Sequence, residues 1–186
     1  MQPDMLAPCL KWEDNLYPSR FGLNLSKTAW HCRSIIDSGE VLALSSDSLV
    51  GLFDDPMFYL DRAVTRQHAD GKPKGGWTPE QKISLSNALW AYTYGSAYQF
   101  GIEGFLVTLG IGKKADVAVL DKNLFVDEPI DYLGTKAKLT LFNGKIVFNN
   151  LLIYPELRLL GIAIIIIVAL KRKFCSERED LWLIKT

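Results

Sequence analysis

Few residues in this chain have the types and placement for chemistry. Asp47 closes a short apolar run, "VLALSSD". By itself such a carboxylate reads either as a catalytic group at a strand end or as the cap of the next turn. Histidine is scarce: His31 and His68 stand far apart in the sequence. A zinc hydrolase ordinarily needs three protein ligands, commonly histidine-rich. These two make no such cluster by spacing, so the chain alone is expected to bind no metal. Cys9, Cys32 and Cys175 form no CxxC pair and no even-numbered framework. A reducing compartment, the cytoplasm, is therefore the expected location. Cys32 reads as core, His31 and His68 as surface or half-buried residues, and Asp54, Asp55 and Asp61 as caps and solvated helix charges. Asp116 reads as a structural hydrogen-bond partner.

The elements that would position Asp47 follow from local signals. "LNLSKTAWHCRSIIDSG" predicts a helix with Ser26 as its cap, Ala29, Ile35 and Ile36 on its apolar face, and Gly39 as its stop. The apolar run before Asp47, bounded by Gly39 and Gly51, fits a buried parallel strand, although periodicity alone leaves helix open. "DDPMFYLDRAVTRQ" predicts a second helix, capped by Asp55 with Pro56 at its first position. Helix, apolar strand, helix is an α/β pattern. "HADGKPKGGWTPEQ" is punctuated by glycine and proline and reads as a loop. In "TPEQKISLSNALWAYTYGSAYQFG", Thr78 reads as the cap of a helix running through Leu85, Leu89 and Tyr92, which Gly95 and Gly101 interrupt or end. "ADVAVLD" predicts a strand. "KLTLFNGKIVF" predicts a hairpin turning at Asn143-Gly144, because a type I′ turn needs positive φ at both central residues.

The bulk numbers exclude some functions. Lys+Arg and Asp+Glu both count 21, so nothing global attracts nucleic acid. "MQPDMLAPCLKWEDN" has neither a basic start nor an apolar run, and no secretory signal is expected. The apolar segment Leu159–Leu170, followed by "KRK", would rise only about 18 Å as a helix, against roughly 30 Å of hydrocarbon. It reads as a buried or interfacial segment first and as a membrane anchor second.

Several stretches together resemble the C-terminal part of amidohydrolase-superfamily enzymes. They are "SSD" closing its strand, "DDPMFYLDRAVTRQ", "DGKPKGGWTPEQKISLSNALWAYTYGSAYQFG", "LGIGKKADVAVLDKNLF" and "LTLFNGKIVF". The similar branch is the "amidohydrolase 3" group, which includes N-substituted formamide deformylases. "MQPDML" is similar to the residues after that group's seventh barrel strand, and Arg20 and "HCRSIIDSG" match its arginine and following helix. The resemblance spans about residues 1–148. It implies the last strand and helices of a (β/α)8 metal-dependent hydrolase barrel over 1–100. Residues 101–150 would be strands and a hairpin of an accessory β-sandwich, and 151–186 an apolar tail.

By resemblance, Asp47 is the strand-eight aspartate, both metal ligand and proton carrier. The full-length family uses zinc or another divalent metal to hydrolyse a non-peptide carbon–nitrogen bond, here in a small amide-like substrate. The resemblance places the other metal ligands upstream of Met1. The chain is thus expected to be an inactive fragment, or a non-catalytic partner completing a barrel from another chain, and whether it is itself an enzyme stays open. Unpaired sandwich strands would favour self-association. Leu49 stands where the family commonly has proline, and Trp77 could shape substrate access from its loop.

Overall fold

The computed structural model describes residues 4–6 (backbone only), 24, 30–45, 55–125 and 132–151. The chain divides into two compact units, Met1–Glu103 and Gly104–Thr186.

In the first unit, strand β1 (Asp4–Leu6) pairs with β2 (Ala43–Ser45) in parallel, Met5 opposite Leu44. A parallel pair needs a crossover, and helix α1 (Cys32–Asp37) lies between the two strands in the chain. The β2 run is a parallel strand as expected; β1 had no sequence signal of its own. Leu42, Ala43 and Leu44 are all buried. A strand covered on both faces needs such a continuous apolar run rather than an alternating one.

Helix α1 is shorter than the sequence predicts. Its proposed cap Ser26 and Ala29 lie outside the described residues, and Trp30 breaks the helix by adopting a left-handed backbone, φ 59°. Tertiary partners take the hydrogen bond a continuous helix would make between Trp30 and Ser34. The Trp30 carbonyl accepts from Arg66 Nη1 at 3.1 Å, and the Ser34 N–H donates to Gln81 Oε1 at 3.1 Å.

Helix α2 (Pro56–Thr65) matches expectation. Asp55 Oδ1 accepts from the Met57 N–H at 2.9 Å, and Pro56, which lacks an N–H, occupies the first turn where none is needed. Tyr59, Leu60 and Ala63 form its buried face. Asp61 departs from expectation. It is an ion-pair partner of the buried Arg62 guanidinium, not a solvated charge, and its side chain is only 13% exposed. Removing Arg62 from water requires an anionic partner, and Asp61 is the adjacent one.

The third helical stretch corrects the reading at Thr78. Residues Pro79–Gln81 form one 3₁₀ turn, and helix α3 (Leu85–Trp90) starts afresh with Ser84 as cap, its Oγ accepting from the Asn87 N–H at 3.2 Å. Thr78 precedes the 3₁₀ turn in a left-handed conformation, φ 43°, and its hydroxyl makes no capping bond; it accepts from Arg66 Nη2 at 2.6 Å. Helix α3 widens into a π-helical stretch, Ala91–Gly95, and continues as α4 (Ser96–Gln99). Gly95 therefore interrupts the helix without ending it. Trp90, Tyr94 and Tyr98, four residues apart, stack along this stretch with ring centroids 4.2 and 6.0 Å apart. Burial, helped by Glu103 and Tyr98, pushes the Tyr94 phenol up.

The second unit holds an antiparallel sheet in the order β3 (Val117–Leu120), β4 (Ala137–Phe142), β5 (Lys145–Asn149). The hairpin turns where predicted, with φ 50° at Asn143 and 75° at Gly144. Asp116 has its expected structural role: Oδ1 accepts from the Asn143 N–H at 2.5 Å, tying the turn to the start of β3. Val119, Leu120, Leu124 and Tyr132 make the small core. Among the described residues no helix is long and apolar enough to cross a membrane; Leu159–Leu170 lies outside them.

Candidate active site

The strand leading to Asp47 is held on two sides. Along one edge β1 supplies the parallel ladder. Against it lies the π-helical stretch, where a Cβ at Gly95 would sit 1.9 Å from the Leu42 carbonyl oxygen. Only a residue without a side chain allows helix and strand backbones to approach so closely. Next to it, Ser96 Oγ lies 2.8 Å from the Leu44 carbonyl and 3.2 Å from that of Ala91, one proton shared between two acceptors. The widened turn thus presents a hydroxyl to the strand. Asp47 itself, Leu49 and Asp54 lie outside the described residues, and the described part of this strand ends at Ser45, two residues before the candidate carboxylate.

The same unit holds a buried cation. Arg66 ends α2 in a left-handed conformation, φ 57°, with no solvent exposure. Its guanidinium donates from Nε to the Trp77 carbonyl at 2.9 Å, from Nη1 to the Trp30 carbonyl and from Nη2 to Thr78 Oγ1. It also lies 5.0 Å from the centre of the Trp77 ring. A planar five-donor fork can join three separate segments in this way, whereas a lysine ammonium cannot. The 66–84 loop is held further by Gln67 Nε2, which donates to the carbonyls of Gly71 at 2.7 Å and Pro73 at 3.0 Å. Gly76, φ +88°, passes where a Cβ would meet the Thr65 carbonyl at 2.6 Å. Gln81 then ties the 3₁₀ turn to α1, its amide donating to Ser34 Oγ at 2.9 Å. Trp77 is thus fixed in a built loop. Arg66, Gln81, Gly95 and Ser96 were missed as site-building residues. The available signal was a pair of arginines, Arg62 and Arg66, one helical turn apart on the face that carries Tyr59, Leu60 and Ala63.

The remaining candidates are inert or peripheral. Cys32 is 1% exposed, and burial pushes its thiol up to about 11, the Arg66 charge opposing only in part. The thiolate is the nucleophile, so this cysteine is core, as its sequence context suggests. His31 and His68 are both half-buried, and the His68 N–H donates to the Lys72 carbonyl at 2.7 Å. Among the described residues no group of three or more histidine, cysteine, aspartate or glutamate side chains could hold a metal ion.

The mixed helix and strand content, with a parallel strand pair in the first unit and an antiparallel sheet in the second, is compatible with a fragment of an α/β barrel enzyme; a full barrel is not seen among the described residues. The family model described as "Amidohydrolase family" matches residues 1–148, and the chain belongs to that family, one of hydrolases that generally use divalent metals. No curated protein and no solved structure matches the chain.

Proposed function

We propose that residues 1–148 carry the strand-eight end of a hydrolase of non-peptide carbon–nitrogen bonds, of the kind that cleaves N-substituted formamides and related small amides. Asp47 would accept the proton of the attacking water and deliver it to the leaving amine. The observation supporting this is the family match together with β2, a buried parallel strand clamped by Gly95 and Ser96 and running directly into Asp47. On this reading Asp47 works together with metal ligands beyond the described residues; among the described residues no group that could hold a metal is found.

The experiment measures zinc in the purified chain and in Asp47→Ala, then amine release from a simple N-substituted formamide. The expected result is zinc well below one equivalent in both, with no amine release. When a barrel portion carrying the metal-binding histidines is supplied, amine release should appear and Asp47→Asn should abolish it. One equivalent of zinc in the chain alone, lost in Asp47→Ala, would overturn its inactivity. Full amine release by the supplemented Asp47→Asn protein would overturn the role of Asp47.

A second reading is a non-catalytic partner that lends its strands to a barrel from another chain. The observation favouring it is that β1 and β2 form a sheet of two strands among the described residues, open on both sides.

A further inference from the structure

Strand β5 is an anomaly within its sheet. It lies at the edge of the order β3-β4-β5, and all five of its residues are exposed. Directly opposed residues share a face. The register therefore builds one row of Val117, Leu141 and Ile146, and beside it Val119, Leu139 and Asn149. Along these rows burial declines from one edge to the other. Val119 is 4% exposed, Leu139 and Leu141 are half-buried, and Ile146 is 61% exposed. The apolar face of the sheet is thus covered over β3 and bare over β5. Val147, at the register shift, and Phe148, on the opposite face, are bare as well.

The chain leaves the sheet at this bare edge. Asn150 N–H still pairs with the Lys138 carbonyl at 2.7 Å, and the Leu151 N–H donates to Asn149 Oδ1 at 3.1 Å, beyond which residues 152–186 continue. We propose that the occupant of this surface is the chain's own segment Leu159–Leu170. The connection 152–158 reaches roughly 23 Å when extended, enough to return along β5, whose five residues span about 17 Å. The segment is apolar at every position and rich in isoleucine, so it buries side chains whichever way it faces. Glu156 and Arg158 fall in the connection, where charges stay in water. The segment and the bare face solve the same problem, since each exposes apolar surface alone.

The test uses the full chain with Ile146→p-benzoylphenylalanine, a photo-cross-linker at a position with room for it. After irradiation the expected product has the mass of one chain, with the cross-link mapped by mass spectrometry to the 159–170 peptide. Adding Ile165→Lys and Ile167→Lys should abolish this product, while hydrogen-exchange protection of β3 and β4 confirms that the sheet remains folded. Cross-linking to β5 of a second chain would overturn the proposal in favour of a dimer. Binding of the segment to phosphatidylcholine–phosphatidylserine vesicles, with no intrachain cross-link, would overturn it in favour of a lipid surface. A cross-link mapped elsewhere, or one unaffected by the two lysines, also overturns it.

Discussion

At the residue scale, Arg66 has the largest structural role of any charged side chain described. Its guanidinium donates to the Trp30 carbonyl at the left-handed turn, to the Thr78 hydroxyl and to the Trp77 carbonyl of the following loop. Arg66→Ala would remove the guanidinium from the Trp77 carbonyl and leave the Trp30 carbonyl with the Cys32 N–H at 2.8 Å, and we expect it to lower the unfolding free energy by about 2 kcal/mol or more, read from urea denaturation. Arg66→Lys should recover little of this, because one ammonium cannot reach three acceptors in the guanidinium plane. Cys32 yields a pH prediction. In the unfolded chain its thiol ionises near the ordinary 9.0, whereas in the folded chain it resists up to about 11. Between those values the unfolded state releases a proton that the native state keeps. Stability is therefore full below about pH 9 and falls as pH rises toward 11, by at most about 3 kcal/mol. Cys32→Ala should lose stability at neutral pH through its smaller side chain, but should lack this alkaline decline, as chemical denaturation at pH 8 and pH 10.5 would show.

At the element scale, helix starts and helix crossings govern the outcome. Ser84→Ala removes the cap of α3 and is expected to cost about 1 kcal/mol, whereas Thr78→Val should act through Arg66 instead, leaving one guanidinium donor without its acceptor. Gly95→Ala is the severe case. Its methyl would overlap the Leu42 carbonyl, so helix and β2 must separate, and we expect loss of more than about 3 kcal/mol or failure of the first unit to fold, followed by circular dichroism. The legible elements were those with local causes. Asp55-Pro56 announces α2, and Asn143-Gly144 announces the β4–β5 turn. The illegible ones had distant causes. Nothing near Trp30 in sequence says that Arg66 will take its carbonyl, and nothing near Thr78 says that its oxygen is already engaged.

At the scale of the whole molecule, the two units carry different amounts of core. The first buries Leu42, Leu44, Tyr59, Leu60 and Ile83 with two arginines satisfied among them, while the second relies on a few residues around Val119 and Leu124. Since no described cluster can hold a metal, excess zinc should leave the thermal midpoint of the purified chain unchanged. A ligand that bound only the native state would raise the midpoint with its concentration, so a zinc-dependent rise would reveal donors outside the described residues.

The sequence by itself carried the family resemblance, an apolar run before Asp47 that fits a buried strand, the caps and turns built from neighbouring residues, and the scarcity of histidine. These properties depend on residue type and short-range spacing. The tertiary structure alone decided that α1 begins only after Trp30, that α3 starts afresh behind its cap Ser84, that Asp61 is paired rather than solvated, and that Gly95 at the end of the π-helical stretch and Ser96 at the start of α4 hold the strand before Asp47. Trp30, Ser34 and the strand before Asp47 find their partners dozens of residues away, while Asp61 pairs with its own neighbour because burial of Arg62 leaves that guanidinium needing an anion.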